Sequence, residues 1–411
     1  MRQLPKGSVG YFVSRHLRQG AAIAFKPNWS LYSTQSLLAP PSPITLSHRV
    51  HSTRNFASKE KKKKMEVEEG VLIGFGNPLL DITVSIDDSS LLEKYGLQAN
   101  AAIIAEEKHL PLFEELSGMD TVQYSAGGAC QNSMRIVQWI LGSPFRALYF
   151  GAVGKDKFGE TIAKRAKADG VETHYQVNDG KPTGTCAVII SGMNRSLVAN
   201  LGAAAHFTED WMDTEESLCV VERAQYYYIT GFFLAVSPPT VLRIAKFANG
   251  SNRTTVINLS AVFVMQTHKK ELDELIPYVD IIIGNKEEAL AFSSASNWDT
   301  SDIFEIGRRL QCLPKEKGLP RVVMITDAVC PVLVFQENDK LLEYPVPKVD
   351  KSKIVDTNGC GDAFVGGFLS QLVQHMPLDY CIRAGIFASQ QVLGIVGIQI
   401  NKLPKFNESC M

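Results

Sequence analysis

Acidic residues are missing from the first 58 positions of this 411-residue chain. Residues 1–64 carry 12 Lys and Arg against a single acid, Glu60, which leaves 30 basic and 42 acidic residues downstream. The formal charge of −1 therefore hides a basic arm on an acidic body. An acidic body argues against nucleic acid as a partner. The sequence has no Cys-x-x-Cys pair, and its eight cysteines show no zinc-like Cys/His spacing. Cysteines scattered in this way read as reduced, intracellular thiols. No run of 18 uncharged apolar residues exists, so no membrane-crossing helix is expected. There is no Gly-x-x-x-x-Gly-Lys-Ser/Thr, which excludes a P-loop, and no internal repeat. Gly74-x-Gly76 lacks the third glycine of a dinucleotide fingerprint, and Pro78 follows where a helix would have to begin, which excludes that site too.

The arm has the composition of a targeting segment: Arg2, Arg15, Arg18, Arg49 and Arg54 lie among Ser, Ala, Leu and aromatics. Pro40, Pro41 and Pro43 argue against a folded domain there. Two readings compete. One is mitochondrial import. The other is residence in cytoplasm and nucleus, with Lys59–Lys64 a nuclear patch or a solvated linker and Met65 the start of a shorter form. The organisation expected is a disordered basic arm over 1–64 and one folded domain over 65–411.

With 45% hydrophobic residues, the body can bury a large core. Short apolar runs predict strands at 71–76, 148–154, 227–233, 255–260, 279–285, 321–326 and 332–335. Helical spacing predicts helices between them, at 241–248, 270–275, 287–292 and 303–312, and apolar helices run on to about 396. Strands alternating with helices imply parallel βαβ units. Polar residues that follow strand-end glycines then fall at the carboxyl edge of the sheet, where open α/β sheets bind ligands. Asn77 and Asp81 are such a pair and suit hydrogen bonds to a polyol; on spacing alone they equally suit a self-satisfied turn. Gly127 and Gly128 precede a helix and permit either close approach of a ligand or tight packing. Residues 183–201 alternate as a hairpin, with Asn194 suited to the turn and Arg195 near the tip.

The most informative stretch is 356–368, Asp-Thr-Asn-Gly-Cys-Gly-Asp-Ala-Phe-Val-Gly-Gly-Phe. Asp356, Thr357 or Asn358 can cap a helix. Gly359 and Gly361 let backbone N–H groups approach an anion, and the helix dipole favours one there. Asp362 would repel that anion. Its better role is a general base that takes the proton of an attacking hydroxyl.

Asp-Thr-x-Gly-x-Gly-Asp-x-Phe-x-Gly-Gly closely resembles the signature of the ribokinase-like carbohydrate and nucleoside kinases. Further pieces are similar to the adenosine-phosphorylating branch of that family: Gly76–Asp81, Ala126-Gly127-Gly128 with Gln131-Asn132-Ser133, Pro182–Cys186, Asn194–Leu197, Gly231–Leu234 and Asn285-x-x-Glu288. The match spans about 70–395. It implies an α/β sandwich with a mostly parallel sheet flanked by helices, and a small β lid drawn from about 78–106 and 172–202. It implies transfer of the γ-phosphoryl group of ATP to the 5′-hydroxyl of adenosine, with Mg2+, by a monomer. Asp362 is then the base, and the amides of Gly359, Cys360 and Gly361 form the anion hole. Asn77, Asp81, Gly127, Gly128, Asn132 and Phe232 line the nucleoside pocket. Arg195, Thr357 and Asn358 meet phosphate, and Asn285 and Glu288 position the metal. On spacing alone, those last two are a helix cap and its third residue.

The chain departs from that pattern in four places. Cys360 replaces an alanine, Ala129-Cys130 replaces Ser-Thr, Ala102 replaces a substrate-contacting Gln, and the turn 326–330 has no glycine. The rival readings are a kinase for another nucleoside or sugar, a non-catalytic nucleoside binder, and nucleic-acid binding through the basic arm.

Overall fold

The computed structural model describes residues 67–99, 101–192, 194–316 and 320–404. The basic arm, the lysine run and Met65 lie outside these. The described residues belong to one compact unit, 63–411.

Among the described residues, fourteen strands form two sheets. In chain order they are β1 (Leu72–Phe75), β2 (Leu79–Ile86), β3 (Ala102–Ile104), β4 (Gln123–Gly127), β5 (Ala147–Gly154), β6 (Glu172–Asn178), β7 (Thr185–Ser191), β8 (Asn194–Asn200), β9 (Tyr226–Thr230), β10 (Thr254–Asn258), β11 (Ile281–Asn285), β12 (Val322–Thr326), β13 (Val332–Gln336) and β14 (Lys340–Tyr344). Nine make the large sheet, in the order β14-β13-β12-β11-β10-β9-β1-β5-β6. All its pairings are parallel except β12–β13 and β13–β14. Both faces are covered, so the strands read as continuous β-branched and aromatic runs. Alternation still sorts the side chains. Ile73, Phe75, Tyr227, Ile229 and Ile282 pack into the core on one face, and Leu72, Tyr226, Tyr228, Ile281 and Ile283 into the core on the other. This is the expected ribokinase-like α/β sandwich.

Register puts the strand ends at a common edge. Asn258 pairs with Thr230, and Asn285 with Thr326. Gly76 follows Phe75, which pairs with Ile229. The polar strand-exit residues therefore line up where the sequence placed them.

The smaller sheet has the order β3-β8-β7-β2-β4. One face, with Ile82, Val84, Ala187, Ile189 and Val198, is covered by Leu91, Leu92, Leu112 and Leu116 from helices Ser90–Lys94 and Leu110–Ser117. The other face turns Leu79, Asp81, Cys186, Leu197 and Ala199 towards a cavity. The boundaries differ from expectation at 172–178. That strand pairs with β5 at the end of the large sheet, while Gln123–Gly127 joins the smaller one through β2.

Three local expectations also change. The strand foreseen at 227–233 ends at Thr230, and Gly231–Leu234 turns into a short helix; glycine is needed at its start, where a Cβ would lie 2.5 Å from the Leu259 carbonyl. The hairpin turn falls between Ser191 and Asn194, with Gly192 at φ 59° supplying the left-handed backbone. Arg195 is a strand residue opposite Ile190, one pair from that turn and so near the tip, as expected. Asp81 lies within β2, not at a strand end.

Candidate active site

The loop before helix Cys360–Leu372 is shaped by glycine and by Asp356. Gly359 occupies the cap position with φ 77°, and no side chain caps the helix. The cap expected from Asp356, Thr357 or Asn358 is therefore absent, because a left-handed glycine already turns the chain. Asp356 instead braces the loop. Its buried carboxylate accepts from Asn358 N at 2.7 Å and Gly397 N at 2.7 Å, and it pairs with Arg195. A Cβ on Gly361 would meet nothing within 4 Å, so the backbone faces open space there. The first-turn amides of this helix have no intrahelical acceptor and carry the positive end of its dipole.

Asp362 opens onto the cavity but is otherwise enclosed by protein, and that desolvation pushes its carboxyl up to about 6. Asn132 opposes the rise by donating from Nδ2 to Asp362 Oδ2 at 3.0 Å. Ser133 Oγ donates to the Asp362 carbonyl at 3.0 Å, fixing the helix against helix Ala129–Leu141. A carboxyl with a pKa near 6 beside a helix N-terminus is equipped to take a proton at neutral pH.

The cavity, of about 450 Å3, extends from that loop to β2. Asn77, Asp81, Gly128, Asn132 and Phe232 line it with Asn358, Gly359, Gly361 and Asp362. Asn77 Nδ2 donates to the Phe232 carbonyl at 3.0 Å, and its Oδ1 is buried without a partner, an acceptor still open to a ligand hydroxyl. Asp81 is buried, which pushes its carboxyl up to about 7 against the attraction of Arg195. The glycine pair makes room for these groups. A Cβ on Gly127 would lie 2.2 Å from Asp81 Oδ1, and one on Gly128 2.3 Å from the Asn77 carbonyl. Phe232 and Phe263 lie 6.0 Å apart at 35°, two aromatic rings on one wall.

Asn285 and Glu288 form a reciprocal cap on helix Lys286–Ala295, with Glu288 N donating to Asn285 Oδ1 and Asn285 N to Glu288 Oε2. They also line the cavity, and burial raises the Glu288 carboxyl to about 7. No cluster of three or more His, Cys, Asp or Glu suited to a metal exists among the described residues. The donor set still fits magnesium. That ion keeps waters and takes one or two carboxylates plus phosphate oxygens, and the Glu288 carboxylate retains acceptor capacity beyond its bonds to Asn285.

Four expected site residues do not line the cavity. Gly127 lies behind Asp81, Thr357 faces outward, and Cys360 sits beside the wall. Arg195 is buried below the smaller sheet against Asp356, where desolvation lowers its guanidinium to about 10. Of the departures, Ala102 and Ala129 do line the cavity. Cys130 does not: it packs under β1, 2.6 Å from where a Gly74 Cβ would be. The glycine-free turn after Thr326 closes with Ala328 at φ 44° and Cys330 N on the Asp327 carbonyl at 2.7 Å. Arg135 and Ser260 are missing from the sequence reading. Ser260 takes φ 71° and accepts from Gly231 N at 2.9 Å, anchoring the Phe232 turn. No sequence signal marks it. Arg135 had one: it is the single charged residue of its helix, flanked by apolar Met134 and Ile136.

A doubly covered, mostly parallel sheet, a glycine-turned helix end with an aspartate in its first turn, and a smaller sheet over the cavity define a ribokinase-like phosphotransferase. The chain belongs to the pfkB family of carbohydrate kinases, whose profile matches residues 89–405. Over 340 residues it is 44% identical to adenosine kinase 2 of Arabidopsis thaliana, covering 82% of this chain and 98% of that one. It is 38% identical over 338 residues to the adenosine kinase of Schizosaccharomyces pombe, covering 82% and 97%. Among solved structures it resembles Anopheles gambiae adenosine kinase in complex with P1,P4-di(adenosine-5) tetraphosphate. That match has a TM-score of 0.80 and 44% identity, and covers 82% of this chain and all of that one. Schistosoma mansoni adenosine kinase with 2-fluoroadenosine gives 0.77 and 33%, covering 81% and 97%.

Proposed function

We infer that this chain is an ATP-dependent nucleoside kinase that transfers the γ-phosphoryl group of ATP to the 5′-hydroxyl of adenosine, giving AMP and ADP. The observation that carries the reading is Asp362, poised near pH 6 beside a glycine-lined helix end, in one cavity with Asn77, Asp81 and Phe232. Asn77 Oδ1 and the Asp81 carboxylate accept the ribose hydroxyls. Phe232 supplies an apolar face for the adenine. With the ribose held there, the 5′-hydroxyl points towards Asp362, which takes its proton as that oxygen attacks phosphorus. The amides of Gly359, Cys360 and Gly361 bind the developing negative charge, an arrangement that costs no reorganisation during reaction. Asn358, which lines the cavity beside them, extends that anion site. Arg195 moves from Asp356 to phosphate when the smaller sheet closes as a lid, and the closed lid excludes water as a competing acceptor. Magnesium, held through Asn285 and Glu288 with water, neutralises phosphate charge when bound.

Ala102 and Ala129 offer the nucleoside no side-chain hydrogen bond, so affinity rests on Asn77 and Asp81. Two missing bonds of about 1 kcal/mol each raise KM by an order of magnitude or more without touching the base. A panel of adenosine, inosine, guanosine and ribose, with ATP and Mg2+, tests the substrate by ADP formation. Adenosine is expected to give the highest kcat/KM; a preference for ribose or for another nucleoside would overturn the assignment. The chain acts as a monomer, and the basic arm directs it to mitochondria. Cell fractionation with the start at Met1 or at Met65 tests the second point, and mitochondrial recovery is expected only for the longer form.

A further inference from the structure

We propose that Arg135 is a positioning residue for phosphoryl transfer: it sets the orientation of the Asn132 amide, and through it holds the Asp362 carboxylate ready to accept a proton. The inference rests on Asp362 being the base.

Arg135 lies mid-helix in Ala129–Leu141 with 1% of its surface exposed. A guanidinium has five donors and no acceptor. Nη1 donates to Asn132 Oδ1 at 3.2 Å and to the Ala126 carbonyl at 2.9 Å. Nη2 donates to the Ile398 carbonyl at 2.7 Å, and Nε to Asp169 Oδ2 at 2.7 Å. The donor-only group forces the amide oxygen of Asn132 towards itself. The amide nitrogen must then face the other way, and it meets Asp362 Oδ2 at 3.0 Å. An N–H on that oxygen stabilises the ionised carboxylate, the form that can act as a base.

The same guanidinium joins three parts of the site. Ala126 precedes the glycine pair beside Asp81. Ile398 follows Gly397, which donates to Asp356, and its side chain closes on Gly359. Asp169 neutralises the buried charge, supported by Arg165 at 3.0 Å. A fold that only needed to fill this volume would use an apolar side chain, since burying a charged pair gains little stability.

Other ionisable groups also face Asp362. Asp81 faces it from β2, Cys130 from the Arg135 helix, Tyr228 from β9 and Cys360 from its own helix, with Arg195 close to Asp81 and Cys360. Burial keeps the thiols and the phenol protonated across the working range. Arg135→Lys retains the positive charge near Asp81 and the pairing with Asp169. It loses the fixed fork that orients Asn132.

The test is the pH profile of kcat with adenosine, ATP and Mg2+ for the wild type, Arg135→Lys, Asn132→Ser and the double variant. Loss of the Asn132 donor raises the Asp362 pKa, so the acid limb moves upward. We expect Arg135→Lys and Asn132→Ser each to shift that limb up by about half to one pH unit, with kcat falling more than KM rises. The double variant should shift no further than Asn132→Ser alone. An unmoved acid limb in Arg135→Lys, with only thermal stability lowered, overturns the proposal. So does an unmoved limb in Asn132→Ser, which applies even if Arg135→Lys does not fold. Absence of wild-type turnover on adenosine is a different result and counts against the kinase reading itself.

Discussion

Asp81 and Gly127 show how closely single residues constrain this site. Gly127→Ala places a methyl 2.2 Å from the Asp81 carboxylate, so one of the two must move. The expected outcome is a tenfold or greater rise in the KM for adenosine with a smaller change in kcat, measured by steady-state kinetics. Asp81 titrates near 7, raised by burial. Below that pH it gains a proton and loses acceptor capacity towards ribose hydroxyls, so adenosine affinity should weaken as pH falls from 8 to 6. Isothermal titration across that range checks it, and affinity independent of pH would remove Asp81 from the ribose site. At this scale much was legible. Asn77, Asp81, Asn132, Phe232 and Asp362 fall in one cavity, because strand-exit polar residues and glycine-started helices must converge at one sheet edge. What the sequence could not give was partnership. Arg135 bonding to Ile398 spans 263 positions, and no local pattern encodes that.

Among the elements, the loop from Asp356 to Gly359 carries the most consequence. Its carboxylate holds two backbone amides and a buried arginine of β8. Asp356→Ala removes the carboxylate paired with that arginine, and removal of one partner of a buried pair typically costs about 3 kcal/mol. Urea denaturation should show a loss of that order, together with reduced turnover; a change below about 0.5 kcal/mol would mean the loop is braced otherwise. The sequence marked this loop as an anion site but assigned its cap wrongly, since three polar residues in a row hide that Gly359 alone needs positive φ. The hairpin turn was displaced for a related reason. Gly192 supplies the turn conformation while Asn194, the better turn residue by type, is already in β8. The large sheet was readable because buried parallel strands are continuous apolar runs. Strands β4 and β14 were not, since they carry exposed polar positions and lack that signature.

For the whole molecule, three buried carboxyls with raised pKa values contribute to the pH response of the ligand-free fold between about pH 5.5 and 8. Burial raises Asp81 to about 7, Glu288 to about 7 and Asp362 to about 6. Each pKa lies above its unfolded value, so each group stabilises the fold when protonated and loses that contribution as pH rises through its folded pKa. Thermal unfolding should therefore show a higher Tm near pH 5.5 than near pH 8, and replacing Asp81 and Asp362 by Asn should flatten the difference. A Tm that rises across this window would contradict it. No helix among the described residues is long and apolar enough to cross a membrane. The pocket between the two sheets is the feature from which the proposed chemistry follows. The most direct measurement is ADP formation from ATP, Mg2+ and adenosine by the wild-type chain and by Asp362→Asn. The expected result is transfer by the wild type and a loss of at least about a hundredfold in the variant, with adenosine binding retained. Near-normal transfer by the variant, or none by a wild type that still binds adenosine, would contradict the assignment of Asp362 as the base of a working kinase.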